Sequence, residues 1–89
     1  MTNMINLEEI VTVRVGKKGI TNELLKELDN VLRARGLVKV QFLKNFRDAY
    51  GINRENKAEI AADLAQALGA KVAESRGYTI LLKKVKKHG

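Results

Sequence analysis

The sequence predicts a single α/β domain, a two-layer sandwich in β-α-β-α-β-β order with a four-stranded mixed sheet and the helices packed on it. Three observations predict it. Apolar residues switch along the chain between a period of two and a period of three to four. Single glycines, with no proline anywhere, stand at the switches. The 89 residues, 45% of them hydrophobic, supply one core and fall short of two.

Val11, Val13 and Val15 alternate with Thr12 and Arg14, the pattern of a half-buried strand running from Ile10 and stopping at Gly16. A short loop, Gly16-Lys17-Lys18-Gly19, leads to Thr21, which can cap a helix. Leu24, Leu28 and Val31 share one face of that helix, Leu25 and Leu32 widen it, and Gly36 ends it as a left-handed cap. Leu37 to Lys44 returns to the strand period through Val38, Val40 and Phe42. The polar stretch Asn45 to Ile52 reads as a loop, and Asn53 as the cap of a second helix with Ile60, Leu64 and Leu68 four apart, closed by Gly69. Lys71 to Ser75 and Tyr78 to Val85 flank Arg76-Gly77 as a tight hairpin. Strands joined through helices should be parallel. The organisation expected is an N-terminal extension over 1–10, the folded unit over 11–85 and a basic tail over 86–89.

Seventeen Lys and Arg against ten Asp and Glu leave a net charge of +7, the excess expected of a protein whose partner is a polyanion, nucleic acid first among them. Zero cysteines exclude disulfides, thiolate zinc sites and thiol nucleophiles. Apolar runs such as Ile80-Leu81-Leu82 are far shorter than the roughly 20 residues of a membrane helix. The N-terminus lacks the pattern of a signal peptide, so a cytoplasmic location and no membrane partner are expected. His88, the single histidine, is next to last, and no catalytic triad or metal-ligand spacing exists. No enzyme activity and no cofactor are expected. The carboxylate pairs Glu23/Glu27 and Glu55/Glu59 have the four-residue spacing of exposed helix charge.

The informative local feature is the Gly16–Gly19 loop between a strand and a helix start. Glycines at both ends permit close backbone approach, free amides at the helix start favour an anion, and two lysines add positive charge. A GxxG tetrapeptide is common, and its alternative reading is a solvated turn that needs glycine for its dihedrals. The spacing excludes a Walker loop and a dinucleotide fingerprint. A KH loop joins two helices, whereas Ile10 to Val15 reads as a strand.

In that strand-to-helix context the sequence resembles the CRM domain family, named for chloroplast RNA splicing and ribosome maturation. The segments that carry the resemblance, in order, are Val13-Arg14-Val15-Gly16-Lys17-Lys18-Gly19-Ile20-Thr21, Leu37-Val38-Lys39-Val40, Arg54-Glu55-Asn56-Lys57 before Ile60-Ala61, Gly69-Ala70, and Gly77-Tyr78-Thr79-Ile80-Leu81-Leu82. They run from about Val11 to Lys84. The resemblance implies a fold similar to the C-terminal domain of translation initiation factor 3. It also implies binding of structured RNA and, for small stand-alone prokaryotic members, association with ribosomal RNA in the precursor of the large subunit. Carried onto this chain, the family's loop is Gly16, Lys17, Lys18 and Gly19, with Thr21 at the helix start beside it. Stand-alone members usually have a basic helix before the first strand, whereas the short segment here includes Glu8 and Glu9.

Arg14 and Arg54 are further candidate RNA contacts, and Lys26, Arg33, Arg47 and Lys57 could extend a patch around them, although solvated helix faces carry such residues too. The C-terminal Lys83 to Lys87 run is either an RNA contact or a solubilising tail. Phe42, Phe46, Tyr50 and Tyr78 are too scattered for an aromatic stacking sheet, so backbone and shape recognition is expected; Phe46 and Tyr50, four apart, could pack under their loop or offer a stacking surface, and core packing is the expectation. Two rival readings share the charge: an Alba-like chromatin protein that coats duplex DNA as a dimer, and a basic adaptor for an acidic protein. A monomer is the default expectation.

Overall fold

In the computed structural model, which describes residues 10–85, four strands and three helices follow one another: β1 (Thr12–Val15), α1 (Asn22–Arg35), β2 (Leu37–Phe42), α2 (Lys44–Tyr50), α3 (Lys57–Leu68), β3 (Ala70–Arg76) and β4 (Thr79–Lys84). The expected order and the mixed sheet are present, with one additional short helix. Most of the N-terminal extension, the 86–89 tail and His88 lie outside the described residues.

The sheet order is β1-β2-β4-β3. β1 pairs parallel with β2, placing Val13 beside Val40 and Val15 beside Phe42. β4 lies antiparallel between β2 and β3, so β2 and β3 run the same way without touching. The helix-linked strands are thus parallel in direction, and the hairpin strand fills the gap between them.

Strand parity decides the layers. Val13, Val15, Val38, Val40, Ile80 and Leu82 are all buried on the face that α1 and α3 cover. Leu28 and Leu32 of α1 and Ala61, Leu64, Ala65 and Leu68 of α3 meet them. The partners of opposite parity form a face with no helix on it among the described residues. Leu81 belongs to that face, so the last strand is less uniformly buried than its Ile80-Leu81-Leu82 run suggested.

α1 begins and ends where expected. The Thr21 hydroxyl accepts the Leu24 amide at 3.1 Å, and Gly36, at φ +82°, returns its amide to the Leu32 carbonyl. The capping bond is of the kind that contributes about 1 kcal/mol.

Most of the Asn45 to Ile52 stretch is a helix, Lys44–Tyr50, rather than a loop. Its polar composition masks two four-residue spacings that a short helix satisfies together. Lys44 and Asp48 form an ion pair at 2.8 Å on the exposed side. Phe46 on the other side is buried against Phe42, ring centroids 5.3 Å apart. Gly51, at φ +65°, stops it.

α3 starts three or four residues later than an Asn53 cap would place it. Asn53 does cap, but it caps a tight turn: its side-chain oxygen accepts the amides of Glu55 and Asn56, while the Asn56 side-chain oxygen accepts the amide of Asn53. The helix proper begins at Lys57.

Candidate nucleic-acid interface

The Gly16–Gly19 loop is a single turn closed by the Gly19 amide donating to the Gly16 carbonyl at 2.9 Å. Its two glycines do different work. Gly19 has φ +75°, a left-handed conformation that L side chains rarely adopt. Gly16 has no positive φ, and a Cβ there would meet only Asn45 and Leu43 at ordinary contact distances of 3.7 to 3.9 Å. The turn therefore needs glycine at its exit and tolerates a side chain at its entrance.

Lys17 and Lys18 point into solvent at the tip. Neither is in an ion pair among the described residues. Arg14, Gly16, Lys17, Lys18, Gly19 and Thr21 line one open groove of about 340 Å³. Six of the seven residues singled out from sequence thus come together. Arg54 does not join them: it sits exposed on the turn between α2 and α3. Glu23 and Glu27 of α1 form part of the same groove wall. An anion would therefore be drawn to the lysine tip and the Arg14 side, and away from the helix flank.

The loop is braced from a distance. The Tyr50 hydroxyl, at the end of α2, donates a long hydrogen bond of 3.3 Å to the Lys18 carbonyl. Its ring lies 5.2 Å from that of Phe46, which continues to Phe42 in the core. Phe46 is core as expected, but Tyr50 is 54% exposed and packs over the loop. Tyr50 and Lys18 are 32 positions apart in the chain, so no local pattern announces the contact. The four-residue step from Phe46 was its one signal, and it became readable only once α2 was a helix.

Several candidate patch residues are already engaged. Arg33 pairs with Asp29 at 3.0 Å. The Arg47 guanidinium lies 4.1 Å from the centre of the Tyr78 ring, its Nε buried without a hydrogen-bond partner. This cation–π contact pins α2 to the β3–β4 turn. The Lys57 ammonium donates to the Gly77 carbonyl of that turn. Lys44 holds Asp48, and its hydrogen bond and charge keep the Asp48 carboxyl below the usual carboxylate range. No group of three or more His, Cys, Asp or Glu side chains among the described residues could hold a metal ion. No helix among them is long and apolar enough to cross a membrane.

A basic turn at a strand-to-helix junction, on a four-stranded mixed sheet with one face free of helices among the described residues, defines a small binding module. The chain belongs to the CRS1/YhbY (CRM) domain family, whose model matches residues 4–84. It is 39% identical over 77 residues to "Probable RNA-binding protein MJ0652" of Methanocaldococcus jannaschii, covering 86% of this chain and 52% of that protein. It thus spans about half the length of that relative. It is 31% identical to "Probable RNA-binding protein YqeI" of Bacillus subtilis over 74 residues, 83% of this chain and 70% of that one. The solution structure of the hypothetical protein SAV1595 from Staphylococcus aureus superposes with a TM-score of 0.67 at 28% identity, covering 91% of this chain and 78% of the other.

Proposed function

We propose that this domain binds structured ribosomal RNA during assembly of the large ribosomal subunit, as a cytoplasmic RNA-binding protein with no catalytic role. The folded unit over 11–85 carries the binding, and Lys17 and Lys18 hold the RNA backbone. The observation behind this reading is the loop itself: two exposed lysines without ion-pair partners among the described residues, on a turn fixed at Gly19 and braced by Tyr50. The names of the two relatives, both given as RNA-binding proteins, support the class of ligand. The described aromatics are committed to packing or to Arg47, which favours recognition of backbone and shape over base stacking.

The test is a competition titration between folded large-subunit ribosomal RNA fragments and duplex DNA of equal phosphate count, at two salt concentrations. The expected result is a preference for the RNA that survives the higher salt. Equal binding that collapses with salt reduces the activity to generic polyanion binding. A DNA preference would move the assignment to a chromatin protein.

A further inference from the structure

The charge of this molecule is sorted by layer. The helices and the connection between α2 and α3 carry seven basic and seven acidic residues and are electrically neutral. The four strands carry Arg14, Lys39, Lys71, Arg76, Lys83 and Lys84 against Glu74 alone. With Lys17 and Lys18, the strands account for the whole net charge of +7.

All of the strand cations except Lys84 fall on the helix-free face. Cross-strand partners share a face, so the register builds it in rows. Arg14, Gln41, Thr79 and Arg76 form the first row, Thr12, Lys39, Leu81 and Glu74 the second, and Leu37, Lys83 and Lys71 the third. Lys39, Glu74, Arg76, Thr79 and Leu81 border a shallow hollow of about 480 Å³ there.

One pairing makes no sense for stability alone. Lys71 and Lys83 stand directly opposite each other across β3 and β4, an arrangement of like charges that destabilises a sheet. Glu74, the one acid on this face, is spoken for by Arg76 at 3.3 Å. The face carries no aromatic side chain, so its chemistry suits phosphates rather than stacked bases. Arg14 belongs both to the first row and to the groove of the Gly16–Gly19 loop, which joins the two surfaces into one.

Resting on the RNA-binding reading of that loop, we propose that the helix-free face of the sheet is a second RNA-backbone contact, with Lys39, Lys71 and Lys83 neutralised by phosphates that leave the loop past Arg14. The paired lysines are then complementary to the bound state and costly in the free one.

The test compares three double variants on one ribosomal RNA hairpin across a salt series, with thermal unfolding followed in parallel. K71Q with K83Q is expected to weaken binding, to make the log–log salt slope shallower by about 1.5, and to raise the Tm by relieving the repulsion. R35Q with K44Q removes the same charge from the helix layer and is expected to bind like the wild type. K17A with K18A tests the loop separately. A sheet variant that binds no more weakly than the helix-layer variant overturns this proposal, while a loss in the loop variant alone leaves the proposed function standing. A loss in the sheet variant alone supports the second surface and removes the loop from the reading. A wild-type protein that binds no RNA at low salt overturns both, and would direct the search to an acidic protein partner.

Discussion

Tyr50 occupies the space that a side chain at position 19 would need: a Cβ on Gly19 would lie 2.7 Å from the Tyr50 hydroxyl oxygen and 2.8 Å from the ring carbon that bears it. The last residue of α2 and the last residue of the basic turn are therefore matched, the tyrosine lying flat only because the glycine is bare. Replacing Tyr50 by Ala removes the brace and its ring pair with Phe46, a contact worth about 0.5–1.5 kcal/mol beyond simple burial. Amide exchange at Lys18 and Gly19 should quicken and RNA affinity should fall, with Tyr50→Phe, which keeps the ring and loses the long hydroxyl bond, falling between alanine and wild type in both. Unaltered exchange in the alanine variant would show that the turn holds its shape unaided.

The two loop glycines should separate cleanly. Gly19→Ala is expected to cost about 1–3 kcal/mol, from the left-handed backbone and the displaced tyrosine together. Gly16→Ala should leave stability unchanged or raise it by up to about 1 kcal/mol, because the site is sterically open and the unfolded chain loses freedom. Denaturant titration of both variants decides this. RNA binding by the stable Gly16→Ala protein then reports whether the ligand backbone comes close to that Cα.

Lys17→Ala with Lys18→Ala should leave the far-UV spectrum and Tm intact, since neither side chain has an ion-pair partner among the described residues. The salt dependence of RNA binding should flatten by about two phosphate contacts. An unchanged slope would take the lysines off the binding surface.

Phe46→Ala should be severe, at about 3–5 kcal/mol, because it opens the space between the core and α2. Thr21→Ala, losing one capping bond at the start of α1, should cost about 1 kcal/mol. Unfolding in urea measures both, and a mild effect at Phe46 would mean that α2 is not anchored through that ring.

What sequence alone could supply follows the range of each interaction. α1 was legible at both ends because a cap bond spans three residues and a left-handed glycine acts on its own backbone. The parity of Val13 and Val40 likewise assigned the buried faces of β1 and β2 before either strand had a neighbour, whereas the unbroken Ile80-Leu81-Leu82 run hid that of β4. α2 was not legible, since its propensity is ordinary and its apolar anchor is Phe42 in another element. The brace from Tyr50 to the loop and the Lys71–Lys83 pairing both depend on the strand order β1-β2-β4-β3, which local periodicity does not encode. Six of the seven predicted contacts gathered in one groove because they are close in sequence, whereas Arg54 had to be brought there by tertiary structure and was not.

The position of β4 also bears on how the fold is made. The last described element, β4, is an interior strand of the sheet, with Ile80 and Leu82 wholly enclosed, and among the described residues it bridges β2 and β3. A chain that stops before Thr79 keeps the α1–α3 packing but leaves β2 and β3 with no strand between them, so the sheet and its core close together only when β4 is added. Such a domain has no stable halfway house: truncation within β4 should yield an unfolded polypeptide rather than a smaller folded one.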